Sequence, residues 1–158
     1  MRVGITGHRD LPKDVEDRVR TALRVEVERH YPWELVGVSC IADGPDSWFA
    51  RLVLDHGGRV EVVTPAAEYR DGLPADHHAE YDALMAATAE VYPSGLEASD
   101  AWAHMVGSEI LVGLVDELLA VWDRQPARGY GGTADVVAYA QRNGVPVRVL
   151  WPEGATRD

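Results

Sequence analysis

Cysteine is almost missing from this chain: Cys40 stands alone among 158 residues. A lone thiol excludes an intramolecular disulfide and a cysteine-based metal cluster, and it fits a reducing cytosol. Basic charge is scarce too, with 15 Lys and Arg against 26 Asp and Glu and a formal net charge of -11. That excess of acid argues against non-specific nucleic-acid binding and against an anionic membrane surface, since both depend on positive patches. A local basic pocket is still compatible with it. No apolar run is long enough to span a bilayer, and the opening residues MRVGITGHRD hold no cleavable apolar signal segment. No serine or cysteine sits in a nucleophile-elbow pattern, so a hydrolase triad has no support. These absences together lead us to expect a cytoplasmic protein with no membrane contact.

What is present suffices for one core. Hydrophobic residues make up 46% of the chain, and its length is that of a single domain. We expect residues 1–152 to form that domain and residues 153–158 to be a polar tail that frays.

Short apolar runs alternate with helical patterns. Val3 to Thr6, Leu35 to Cys40, Val60 to Val63, Leu118 to Trp122 and Val145 to Leu150 read as strands. Between them Val15, Val19, Leu23 and Val27 recur at helical spacing, and a second helix runs from about Asp46 to a stop at Gly57-Gly58. Tyr81 to Val91 suggests a third helix broken at Tyr92-Pro93, and Ser99 is the expected N-cap of a fourth. Thr133 opens a fifth, which stops at Asn143-Gly144. Near-continuous apolar strands separated by helices indicate an α/β chain: a single-domain, doubly wound Rossmann-like fold with a mainly parallel five-stranded sheet. If the strand order is 3-2-1-4-5, the first and fourth strands are neighbours and their turns flank one crevice.

In such a sheet ligands bind beyond the carboxyl ends of the strands, where the strand order reverses. That rule puts three turns on one rim: Gly7-His8-Arg9, Asp43-Gly44-Pro45-Asp46, and the glycine-rich loop from Pro126 to Asp135. In the last of these, Gly131 and Gly132 precede Thr133 at a helix start. Main-chain amides and the helix dipole converge there, which makes an anion site, most simply for phosphate. Arg9 can donate a forked hydrogen bond to a phosphate; its other role would be an ion pair with Asp10 or Asp43. His8 suits either binding or packing. Asp46 suits either a sugar contact or a helix cap, and Asp135 either a site role or support of the helix dipole. Trp122 and Tyr130 are the aromatics placed to stack on a base, while the other tryptophans are expected to pack in the core or an interface. His77-His78 hints at a metal, but adjacent side chains point apart in extended chain and no second ligand cluster accompanies them, so no metal and no cofactor are expected.

Thr6-Gly7-His8-Arg9, Ala42-Asp43-Gly44-Pro45-Asp46 and Gly131-Gly132-Thr133-Ala134-Asp135 resemble motifs of the SLOG superfamily. That group joins the Smf/DprA DNA-processing proteins, the Lonely Guy phosphoribohydrolases and other Rossmann-like nucleotide-binding or nucleotide-sensing proteins. The resemblance implies a nucleotide or other phosphorylated small molecule as ligand and a homodimer as assembly. It also implies ligand-binding roles for Gly7, His8, Arg9, Gly44, Asp46, Gly131, Gly132, Thr133 and Asp135. The phosphoribohydrolase loop has the form PGGxGTxxE, and residues 128–135 depart from it: the leading proline is absent, one glycine is lost, and the acid is Asp135. The alternative function, a nucleoside 5'-monophosphate N-glycosidase that releases free base, would use Asp135 or Asp46 as its acid.

Overall fold

The computed structural model describes residues 1–157; Asp158, the end of the expected tail, lies outside the described residues. The chain runs β1 (Arg2–Gly7), α1 (Lys13–Glu28), β2 (Val36–Ser39), α2 (Pro45–His56), β3 (Arg59–Thr64), α3 (His78–Ala86), β4 (Glu90–Pro93), α4 (Ala101–Gly113), β5 (Glu117–Val121), α5 (Thr133–Arg142) and β6 (Val147–Val149). Every strand pairing is parallel, in the order β4-β3-β2-β1-β5-β6. Helices α1, α2 and α3 pack together on one face and α4 with α5 on the other, as right-handed crossovers require.

The sheet has six strands, so the five-stranded expectation is corrected, while the five expected strands lie in the order that was considered for them. The extra strand is β4, where helical spacing had suggested that a helix continued to Val91. Thr88 Oγ1 donates to the Leu84 carbonyl (3.0 Å) as α3 ends, and Ala89 N–H donates to Val60 O (2.8 Å). The β-prone pair Val91-Tyr92 then pairs with β3 as an edge strand, a case of tertiary pairing overriding a local pattern.

Helix α4 is also capped one residue later than Ser99 suggested. Asp100 accepts from Ala103 N–H at 2.8 Å, which satisfies one of the orphan amides of the first turn. Ser99 Oγ instead lies 2.9 Å from His104 Nε2.

The core lies between the sheet and its two helical layers. Val3, Ile5, Leu118 and Leu119 of the central strands are buried with Leu23 of α1, Phe49 of α2 and Leu111 of α4. Burying a large apolar side chain contributes about 1.5–3 kcal/mol, so this cluster dominates the stability of the rim it supports. No described helix is long and apolar enough to cross a membrane.

Candidate functional site

Strand β1 pairs with β2 on one side and β5 on the other, so the sheet order reverses there. Gly7 closes β1 in register with Val121 of β5. A Cβ on Gly7 would stand 2.9 Å from Val121 Cβ and 3.1 Å from Pro45 Cβ, so the first turn and the start of α2 meet with no room for a side chain. All three turns are stressed. Asp10, Ile41 and Arg124 are the non-glycine residues with positive φ among the described residues, at 54°, 46° and 65°, one after each of β1, β2 and β5. Such backbone costs energy and persists only where surrounding structure over-determines it.

The β2–α2 turn is held by hydroxyls. Ser39 Oγ accepts from Ile41 N–H (2.9 Å) and donates to Asp46 O (3.0 Å), while Ser47 Oγ donates to Ala42 O (2.6 Å). Gly44, at φ 92°, caps α2, and Pro45 is its first residue. The cap role considered for Asp46 therefore belongs to Gly44, leaving the Asp46 carboxyl to face a cavity.

Two connected hollows lie on the rim. An outer cleft of about 280 Å³ is lined by Gly7, His8 and Arg9 from the first turn and by Gly131, Gly132 and Thr133 from the glycine loop. An inner cavity of about 130 Å³ shares Gly7, Arg9 and Gly131 and is completed by Asp46, Tyr69, His104 and Ser108. Nine residues were anticipated at the site. Seven of them, Gly7, His8, Arg9, Asp46, Gly131, Gly132 and Thr133, line one hollow or the other. The remaining two line neither. Gly44 faces a separate groove between α1 and α2, and Asp135 is engaged within its own loop.

Arg9 Nη2 lies 2.6 Å from Asp43 Oδ1. The contact is an ion pair whose angles fall short of a hydrogen bond, for that oxygen accepts none. Burial works against the Arg9 charge, but Asp43 outweighs it and its pKa is raised. Asp46 behaves oppositely: burial pushes its carboxyl up to about 7, against the pull of the Ala42 backbone and of Arg9. Beside it Cys40 and Tyr69 are raised well above their ordinary values by burial, and His104 is lowered by burial and then by Arg9. The inner cavity thus holds one carboxyl that exchanges a proton near neutrality.

His8 is buried and its ring stands edge-on to Trp151, 5.7 Å between centroids. Its Nε2 lies 3.1 Å from both the amide nitrogen and Oδ1 of Asp123, which pins the first turn to the end of β5. Burial, followed by the charge of Arg157, lowers its pKa. His8 thus packs against Trp151 and Asp123 while it also lines the outer cleft.

In the glycine loop, Gly131 takes φ 82°, a conformation costly for any residue with a Cβ, and its N–H donates to Asp135 Oδ2 at 2.9 Å. The Gly132 amide donates to Gly129 O (3.2 Å). Both glycines shape the loop, while the amides of Thr133 and Ala134, as first-turn groups, have no intrahelical acceptor. Thr133 itself is 7% exposed.

His77 Nε2 lies 3.0 Å from Ile41 O and 3.2 Å from Ser47 Oγ, and His78 Nε2 lies 3.2 Å from Leu73 O, so both rings serve the backbone. Trp33 and Trp102 are 80% and 60% exposed on this chain, so of the two placements expected for them, core or interface, the core is excluded for both. Trp122 Nε1 donates to Gln125 O (2.9 Å), and Tyr130 is largely exposed beside the loop. The tail does not run free over its described residues: Arg18 Nη2 donates to Glu153 O and Trp151 Nε1 to Ala155 O, both at 3.1 Å.

Sequence reasoning missed His104, Ser108, Arg128 and Arg157. His104 and Ser108 had a usable signal, being polar residues four apart in a largely apolar helix. Arg157 had none.

No family model matches the sequence, and no curated protein matches it either. Solved structures do resemble it. A DNA processing protein A from Helicobacter pylori, described for its single-stranded DNA binding mode, superposes with TM-score 0.72 at 17% identity, covering 100% of this chain and 68% of that one. DprA from Streptococcus pneumoniae gives 0.70 at 18% identity over 97% of this chain, which spans about half (51%) of that protein. A molybdenum cofactor binding protein from Rippkaea orientalis gives 0.59 at 15% identity over 94% of this chain and 74% of its own. At these identities the likeness is one of fold: the chain shares a Rossmann-like α/β architecture with these proteins.

Proposed function

We propose that this protein binds a nucleotide, with a phosphate lodged between the first turn of α5 and Arg9 and the nucleoside directed to the inner cavity. One observation carries the reading: Arg9, Thr133 and the glycine loop line a single cleft at the point where the sheet order reverses. A guanidinium and helix-terminal amides facing one hollow form a phosphate site of ordinary chemistry. Gly7 and Gly131 let main chain approach the guest, and Asp46 meets a sugar hydroxyl or base. Titration calorimetry with nucleoside monophosphates, the matching nucleosides and inorganic phosphate tests it. Monophosphates should bind more tightly than either fragment; equal affinity for phosphate alone would remove the nucleoside from the reading.

A second reading, N-glycosidase activity on nucleoside monophosphates, is favoured by the Asp46 carboxyl titrating near 7 inside the inner cavity. A carboxyl poised there can act as a general acid. Asp135 is a weaker choice for that acid, because its carboxylate holds Gly131. Chromatography for free base after incubation separates binding from turnover. Single-stranded DNA, which one structural neighbour binds, belongs in the same panel. The net charge of -11 argues against it, and steep weakening with salt would be the sign of it. The homodimer expected from the resemblance is part of this proposal, tested by sedimentation velocity.

A further inference from the structure

The outer cleft is more positive than one phosphate requires. Arg9 comes from the end of β1, Arg128 from the glycine loop and Arg157 from the tail, and all three line it in a chain of net charge -11. Asp10 is the one acidic residue among the described lining residues. Arg9 is already paired with Asp43, and Arg128 is engaged within the protein. Arg157 is different: among the described residues no ion pair or hydrogen bond involves its guanidinium. Its position is nonetheless built. The strap of Trp151 to Ala155 turns back on itself through Ala155 N–H to Pro152 O and Trp151 Nε1 to Ala155 O, is anchored to α1 by Arg18, and packs Trp151 against His8. The charge of Arg157 reaches both His8 and Asp123. A guanidinium with no partner among the described residues, carried by an anchored strap to the lining of the cleft, is matched to a second anionic group.

We propose that the cleft takes two adjacent phosphates, the first at Thr133 and Arg9 and the second at Arg157 with Arg128, so that the ligand class is a nucleoside diphosphate or longer phosphoanhydride. This deepens the nucleotide reading and rests on it. A free phosphoanhydride, rather than successive phosphodiesters of a nucleic acid, fits a cleft of about 280 Å³ in a protein whose overall charge repels a long polyanion.

The test uses the full chain, titrated with inorganic phosphate and with pyrophosphate, in the wild type, Arg157→Gln and Arg157→Lys. Charge-assisted bonds of this kind lead us to expect roughly tenfold tighter binding of pyrophosphate than of phosphate in the wild type. Arg157→Gln should collapse that ratio toward one and Arg157→Lys restore part of it, with melting temperatures checking that both variants fold. A ratio near one in the wild type, or one unchanged in Arg157→Gln, overturns the inference. So does an oligothymidylate whose binding depends on Arg157 when that of pyrophosphate does not. The nucleotide reading fails on a different comparison, when nucleoside monophosphates bind no better than phosphate.

Discussion

Arg9 and Asp43 form a 2.6 Å ion pair that ties the turn after β1 to the turn after β2 at the mouth of the cleft. An incoming phosphate must share the guanidinium with this carboxylate. Asp43→Asn removes a negative charge beside the guest and should tighten monophosphate binding about fivefold, whereas Arg9→Ala should weaken it at least roughly tenfold. Calorimetry at constant, low salt measures both, since screening erodes the effect. Weaker binding by Asp43→Asn would mean that the pair orients Arg9 rather than competing for it.

Asp46 makes stability depend on pH in an unusual direction. Its carboxyl titrates near 7 in the folded chain against 3.8 when unfolded, so between those values the folded state holds a proton the unfolded state has lost. Stability therefore falls as pH rises through that window. Asp46→Asn cannot ionise and escapes the loss. Melting temperatures of the two proteins should converge near about pH 4 and separate progressively up to about pH 7, the variant being the more stable. A wild type that gains on the variant with rising pH contradicts burial as the cause.

The glycine loop is held by one backbone conformation and one carboxylate. Gly131→Ala forces φ 82° on a residue with a side chain and sets a methyl 3.1 Å from the Ala101 carbonyl oxygen. We expect a cost of about 1–2 kcal/mol in stability from the backbone alone. Asp135→Ala frees the Gly131 amide and should cost about 1 kcal/mol. Both should also weaken phosphate binding, because the first turn of α5 is positioned through this loop. Urea unfolding and calorimetry on the same samples provide the two readouts, and intact binding in Asp135→Ala would detach the loop from the site.

Far from the cleft, Glu61 is buried on β3, accepts from Arg2 of β1, and accepts from Tyr92 Oη of β4 at 3.1 Å. Arg2, opposed by burial, holds its pKa below the ordinary value. A lowered folded pKa contributes stability above the unfolded value of 4.5 that is lost as pH falls through the folded one. Glu61→Gln should cost about 1–3 kcal/mol near neutrality, with the gap narrowing in acid. A gap independent of pH would show that packing, not charge, is what this network supplies.

Much of the architecture was legible along the chain because its signals are local. Apolar runs at β1, β2, β3 and β5, helical spacing in α1, and Gly57 as a left-handed stop each depend on a few neighbouring residues. β4 was not legible: Tyr81 to Val91 fits a helical repeat, and only the open edge of β3 turns Val91-Tyr92 into a strand. The same limit applied at the site. The glycines and Arg9 announced themselves by type and by following a strand, but only the tertiary structure showed that Asp123 and Trp151 close on His8.

Taken alone, the residues determined a mainly parallel α/β sheet, five of its strands, and the three turns that follow strands. Hydrophobic period and turn chemistry are short-range properties, and handedness leaves few ways to connect such strands. Tertiary structure decided what each turn does there: that Asp135 holds Gly131, that Gly44 looks away, that Asp46 is buried to a pKa of about 7, and that the tail returns to bring Arg157 to the cleft. Those outcomes depend on contacts between residues distant in sequence and on the water that packing removes, and neither is written in any local pattern.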